Sequence, residues 1–91
     1  MDMRMVVGLN VQRVRREKGF SQEELSFRSG FSRAYLSGLE AGKRNPTVMS
    51  LWKLAVALDV ALEELIRRPN RLDAKKQDGA RTSRSRAKIE T

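Results

Sequence analysis

Ninety-one residues suffice for one small domain with a single modest core. With 19 Lys plus Arg against 11 Asp plus Glu the formal charge is +8, which favours a polyanionic partner. The absence of cysteine and histidine excludes disulfides, thiolate or imidazole metal sites and the commonest general base, so no metal, cofactor or zinc finger is expected.

In chain order, Val7, Val11 and Val14 recur at i, i+4 and i+7, the buried face of a first helix that ends at Lys18 and Gly19. Gly19 suits a left-handed cap. Ser21-Gln22-Glu23-Glu24 reads as a capping box, with the Ser21 hydroxyl and the Glu24 carboxylate each satisfying a free N–H at the start of a second helix. That helix is short, because Gly30 supplies a tight turn and Ser32 caps a third helix whose buried stripe is Leu36 and Leu39. Gly42 stops it. Pro46-Thr47 opens a fourth helix with Leu51, Leu54, Ala55 and Leu58 on its inner face. After a turn at Asp59-Val60, Leu62, Leu65 and Ile66 line a fifth helix closed by Pro69. No strand pattern occurs, and the expected fold is all-α, a compact five-helix domain over residues 1–68.

Residues 69–91 change character: they are polar and basic, with almost nothing apolar beyond Leu72 and Ile89. Burial there cannot offset roughly 1–2 kcal/mol of backbone ordering per residue, so a disordered tail is expected. Residues 1–68 carry 12 basic and 8 acidic side chains and residues 69–91 carry 7 and 3, so each part contributes +4 and the tail is the denser in charge. As a DNA arm it would raise affinity without adding sequence information; a partner-binding segment and a solubilising extension are the alternatives. The longest mostly apolar stretch, Leu54 to Leu62, is broken by Asp59 and falls far short of the ~20 residues of a membrane span. Met1 to Gly8 lacks the apolar run of a signal peptide, so no membrane association and a cytoplasmic location are expected.

Two short helices joined by a glycine turn, the second with small and polar residues on its open face, are the ingredients of a helix-turn-helix DNA reader. Leu25, Phe31, Leu36 and Leu39 would fix the angle between them, leaving Arg33, Ala34, Ser37 and Gly38 outward. The run from Arg15 to Leu25 (RREKGFSQEEL) and the run from Gly30 to Pro46 (GFSRAYLSGLEAGKRNP) resemble the xenobiotic-response-element regulators, the Cro and phage-repressor type of helix-turn-helix. The resemblance extends from about Val7 to Ile66, and in Arg33 to Glu40 it is closest to the restriction–modification controller proteins.

That resemblance implies a lambda-repressor-like fold and a bacterial or phage-type transcriptional regulator that binds a palindromic operator as a homodimer. Arg33 is the expected base reader, since a guanidinium bridges guanine O6 and N7 for about 1–3 kcal/mol of discrimination. Ala34, Ser37 and Gly38 take the other base-facing positions. Gln22, Ser32 and Tyr35, with Lys43, Arg44 and Asn45 of the following loop, are expected on the DNA backbone, where contacts position the protein without specifying sequence. Gln22 would also brace the recognition helix. Gly38 is either a sign of close approach to DNA or a tolerated glycine. Arg15 and Glu40 correspond to a structural ion pair between the first and third helices. Leu62, Leu65 and Ile66 fall in the family's dimerisation region, and Trp52 is read as core or edge packing, with a subunit interface as the alternative.

Three departures from the family pattern bear on the structure. Ser26 replaces alanine and needs a backbone carbonyl for its hydroxyl. Ala41 removes a polar side chain that contacts phosphate, and Ala61 removes a serine cap from the fifth helix. Glu23-Glu24 and Glu63-Glu64 sit in first helical turns, where acids stabilise the helix dipole, and are not read as catalytic. The competing function is an antitoxin-like interaction module whose tail or fifth helix captures a protein; no small-molecule ligand and no enzymatic activity are expected.

Overall fold

The computed structural model describes residues 2–68; the expectations placed on the basic tail lie outside the described residues. Five helices follow in order: α1 (Met3–Glu17), α2 (Gln22–Ser29), α3 (Arg33–Glu40), α4 (Val48–Leu58) and α5 (Glu63–Ile66). The fold is all-α, as the sequence pattern predicts. α3 packs between α1 and α2, α4 lies against α2, and α5 closes on α1.

Polar caps start four of the five helices. Asp2 accepts from the Arg4 N–H at 2.8 Å to start α1, while the Arg4 guanidinium closes on the same carboxylate. The guanidinium first, and the N–H second, hold that carboxyl below its ordinary range, at about 2. Ser21, Ser32 and Thr47 each accept from the N–H three residues on, beginning α2, α3 and α4. Only half of the expected capping box forms: the Glu24 carboxylate takes Arg28, at 2.7 Å, instead of returning to the Ser21 N–H. An i,i+4 partner within α2 has outcompeted the box.

The core follows the predicted stripes. Val7, Val11 and Val14 of α1 meet Leu25, Leu36, Leu39, Leu51, Leu54, Ala55, Leu58 and Leu65, all buried. Where α1 crosses the end of α3 there is room for no side chain. A Cβ on Gly8 would press into the Leu39 carbonyl oxygen and stand 2.9 Å from that of Glu40.

α5 is a single turn, and Leu62 at its start offers no side-chain cap. The cap position falls on Leu62 and not on Ala61, and α5 is held from outside instead. The buried Asn10 of α1 donates from Nδ2 to the carbonyls of Leu65, at 3.1 Å, and Arg67, at 2.7 Å. Packing places the proposed dimer residues unequally: Leu65 is 0% exposed inside the monomer core and Leu62 is half-buried against it, whereas Ile66 is 39% exposed. Leu65 is therefore a core residue, and its surface is not free for a second subunit. Trp52, read as core or edge packing or as a subunit contact, is 53% exposed.

Candidate nucleic-acid interface

The turn between α2 and α3 is built from short-range bonds. Gly30 adopts φ 83°, ψ −1°, a left-handed geometry that strains other residues, and its N–H closes α2 on the Ser26 carbonyl at 2.9 Å. The Ser26 hydroxyl reaches across to donate to the Phe31 carbonyl, and the Phe31 N–H donates to Ser29 Oγ at 3.2 Å. Ser26 thus finds the carbonyl that its replacement of alanine requires.

α3 leaves this turn with one face inward and one outward. Leu36, Leu39 and Glu40 are buried; Arg33, Ala34 and Ser37 are exposed and Gly38 is half-buried. All four residues expected to face bases lie on the outer side. Ser32 at the N-terminus is exposed, its Oγ engaged by the Tyr35 N–H at 3.0 Å. Tyr35 is half-buried and stacks on Phe31, with centroids 5.0 Å apart. Lys43, Arg44 and Asn45 follow in the exposed loop.

The position of α3 is fixed from behind by a buried polar cluster. Arg15 of α1 donates from Nε to Glu40 Oε2 at 2.7 Å, from Nη2 to Oε1 at 3.0 Å, and from Nη1 to the Phe20 carbonyl at 2.8 Å. Gln22 adds a bond from Nε2 to Glu40 Oε1 at 3.1 Å. Both helices flanking α3 therefore hold its C-terminal end, and Gln22 braces it from the first turn of α2.

Charge is distributed accordingly. Arg4, Arg13, Arg28 and Arg67 pair with acids close in sequence. Residues 32–47 hold Arg33, Lys43 and Arg44 and one acid, Glu40, whose charge faces inward to Arg15. Among the described residues no carboxylate pairs with Arg33, Lys43 or Arg44. The outer side of α3 and the loop after it is consequently cationic, and a helix N-terminus adds its own positive end.

Three features escape sequence reasoning. Asn10 sits on α1 like any polar residue, and only the arrival of α5 reveals its two acceptors. Gly8 looks like a weak point in a helix, not a helix crossing. Val48, Met49, Trp52 and Val56 leave α4 with a second, exposed apolar face, at 70, 62, 53 and 59% exposure. A signal for this face was present, because α4 is apolar nearly all round.

Among the described residues no group of acids could hold a metal ion, and no helix is long and apolar enough to cross a membrane. A short helix seated on a glycine turn, braced from behind and cationic in front, defines a helix-turn-helix DNA-binding module.

The chain belongs to the helix-turn-helix family HTH_3, of the xenobiotic-response-element type, whose family model matches residues 11–65. It is a DNA-binding transcriptional regulator and not an enzyme. It is 61% identical over 66 residues to the HTH-type transcriptional regulator y4dJ of Sinorhizobium fredii, covering 72% of this chain and 86% of that one. Among solved structures it resembles the restriction–modification controller protein C.AhdI of Aeromonas hydrophila, with 42% identity and a TM-score of 0.66 over 68% of this chain and 94% of that one. It also resembles the controller protein C.Esp1396I, solved as a tetramer with its natural 35 base-pair operator, with 29% identity and a TM-score of 0.64 over 74% of this chain and 99% of that one. Several other regulators that it matches are longer, and the chain spans less than two thirds of their length.

Proposed function

We propose that two copies of the chain bind a pseudo-palindromic operator, each placing α3 in a major groove, with the grooves about 34–36 Å apart along the duplex. The observation that carries this is the division of α3: Leu36, Leu39 and Glu40 anchor it, while Arg33, Ala34, Ser37 and Gly38 lie along its open side. Arg33 reads a base edge. Ser32, Tyr35, Lys43, Arg44, Asn45 and the free atoms of Gln22 contact the backbone and set the register.

The second copy docks on α4. Met49, Trp52 and Val56 recur at i, i+3 and i+7, Val48 adjoins them, and Ile66 is exposed on the neighbouring α5. A row of large exposed apolar side chains on one helix marks an interaction surface. The occupant fits the two-fold logic of a palindrome, and C.Esp1396I, to which the chain is similar, assembles on its operator as a tetramer.

Selection of bound duplexes from a random pool tests the reading. The expected product is an inverted repeat with a fixed half-site spacing. Arg33→Ala is expected to relax preference at one position per half-site, costing about 1–3 kcal/mol, while Lys43→Ala weakens all duplexes alike and lowers the salt slope by about 1. A pool that shows no enrichment at physiological salt would refute the proposal.

A further inference from the structure

Gly38 stands in the middle of an eight-residue helix, where glycine is the poorest choice but proline. The structure names its neighbour. An ideal Cβ at this position would stand 3.0 Å from Nε, 3.4 Å from Cγ and 3.6 Å from Cδ of Arg44. The Arg44 side chain thus leaves the loop after α3 and folds back along the helix, with its stem over the bare backbone of Gly38. Its guanidinium carbon then lies 5.5 Å from the centroid of the Tyr35 ring, nearly one turn further towards the helix N-terminus. Tyr35 is itself fixed by its stack on Phe31 and by its N–H bond to the Ser32 cap.

These contacts make a seat. The floor is the missing side chain at Gly38, and the far end is the aromatic face of Tyr35. Resting on the planar ring restrains a long side chain that is otherwise flexible, and among the described residues no carboxylate competes for the charge. The N-terminal half of a recognition helix is the part that meets base edges. Arg44 is delivered towards that half, onto Tyr35.

We infer that Gly38 is a positioning residue of the DNA interface: it leaves the space in which Arg44 lies across α3 onto Tyr35, so that a second guanidinium is preset on the groove-facing side. This rests on the DNA-binding reading above. It replaces the two explanations available from sequence, close approach of the bare helix to DNA and simple tolerance, with a third that has named atoms.

A double-mutant cycle on the full chain, titrated against its selected operator, tests the inference. Gly38→Ala adds a good helix former, and the atoms it meets belong to a flexible exposed side chain, so the thermal midpoint is expected to hold or rise. Operator affinity is nevertheless expected to fall about tenfold, the order of re-ordering one long side chain and losing its contact. In an Arg44→Ala background the same Gly38→Ala change is expected to alter affinity by less than about twofold. Arg44→Lys keeps the charge but not the planar group on Tyr35, and is expected to bind as poorly as Gly38→Ala.

An equal loss in both backgrounds would show that the helix backbone itself must approach the DNA and would overturn the inference, as would full affinity in Gly38→Ala. In either case a wild-type protein that still selects an operator leaves the DNA-binding reading intact. A wild type with no preferred duplex overturns both.

Discussion

The ion pair behind α3 makes the sharpest stability prediction. Glu40 and Arg15 have side chains only 3% and 10% exposed, and Glu40 accepts three hydrogen bonds, two from Arg15 and one from Gln22. Glu40→Ala leaves the Arg15 guanidinium with one remaining partner, the Phe20 carbonyl, in a site from which water is nearly excluded. Stranding one member of such a pair costs about 3–5 kcal/mol. In a helical domain of this size each kcal/mol shifts the melting midpoint by roughly 4–8 °C, so a fall of about 12–40 °C is expected. Replacing both partners with apolar residues of similar size, Arg15→Met with Glu40→Leu, is expected to recover most of the loss, because no charge is then left buried. Urea unfolding followed by far-UV circular dichroism measures each variant, and the slope of the transition checks that unfolding stays two-state. A Glu40→Ala loss below about 1 kcal/mol would mean that the site admits water and that the pair is no strut; that result refutes the argument.

Three further outcomes are expected. Gly8→Ala forces a methyl into the carbonyls at the end of α3, and since neither backbone can yield cheaply it is expected to destabilise by about 1–3 kcal/mol or more in the same urea assay. Asn10→Ala removes one donor from the Leu65 and Arg67 carbonyls, a cost of about 1–3 kcal/mol; faster hydrogen exchange confined at first to α5 would accompany it, and unchanged exchange there would contradict it. Trp52→Glu places a charge in the exposed apolar row of α4 and is expected to convert the proposed dimer to monomer in sedimentation without loss of helical signal, with full-operator affinity falling about 10²–10⁴-fold as two-site binding becomes one-site.

Local signals carried most of the fold. Ser32 and Thr47 are caps because a hydroxyl before a helical run has a free N–H three residues on, and that logic needs no tertiary information. The inner stripes of α1, α3 and α4 were legible for the same reason, as periodicity alone assigns a face. What failed was competition between partners. Glu24 had two cations or donors within reach, and sequence gives no ranking between the Ser21 N–H and Arg28. Leu65 and Ile66 are adjacent and equally apolar, so only the docking of α5 onto α1 decides that one is core and the other surface. The outward set on α3 was readable, but the path of Arg44 over Gly38 was not, because a side chain that folds back six residues follows no helical period.

The reading face is therefore only as firm as the elements behind it. An eight-residue helix is too short to persist alone in water, and α3 carries a glycine in its second turn. Its geometry comes from Leu36 and Leu39 in the core, from the Ser32 cap, and from Arg15 and Gln22 on Glu40. Leu36, Leu39 and the Arg15–Glu40 pair lie behind the helix, while Ser32 and Gln22 sit at its margin, where they are also proposed to meet the DNA backbone. Substitutions behind the helix should then reduce operator affinity and thermal stability together, whereas those at Arg33 or Gly38 should reduce affinity alone. That separation follows from the architecture, in which the buried anchors Leu36, Leu39 and Glu40 and the proposed base readers occupy opposite sides of one helix.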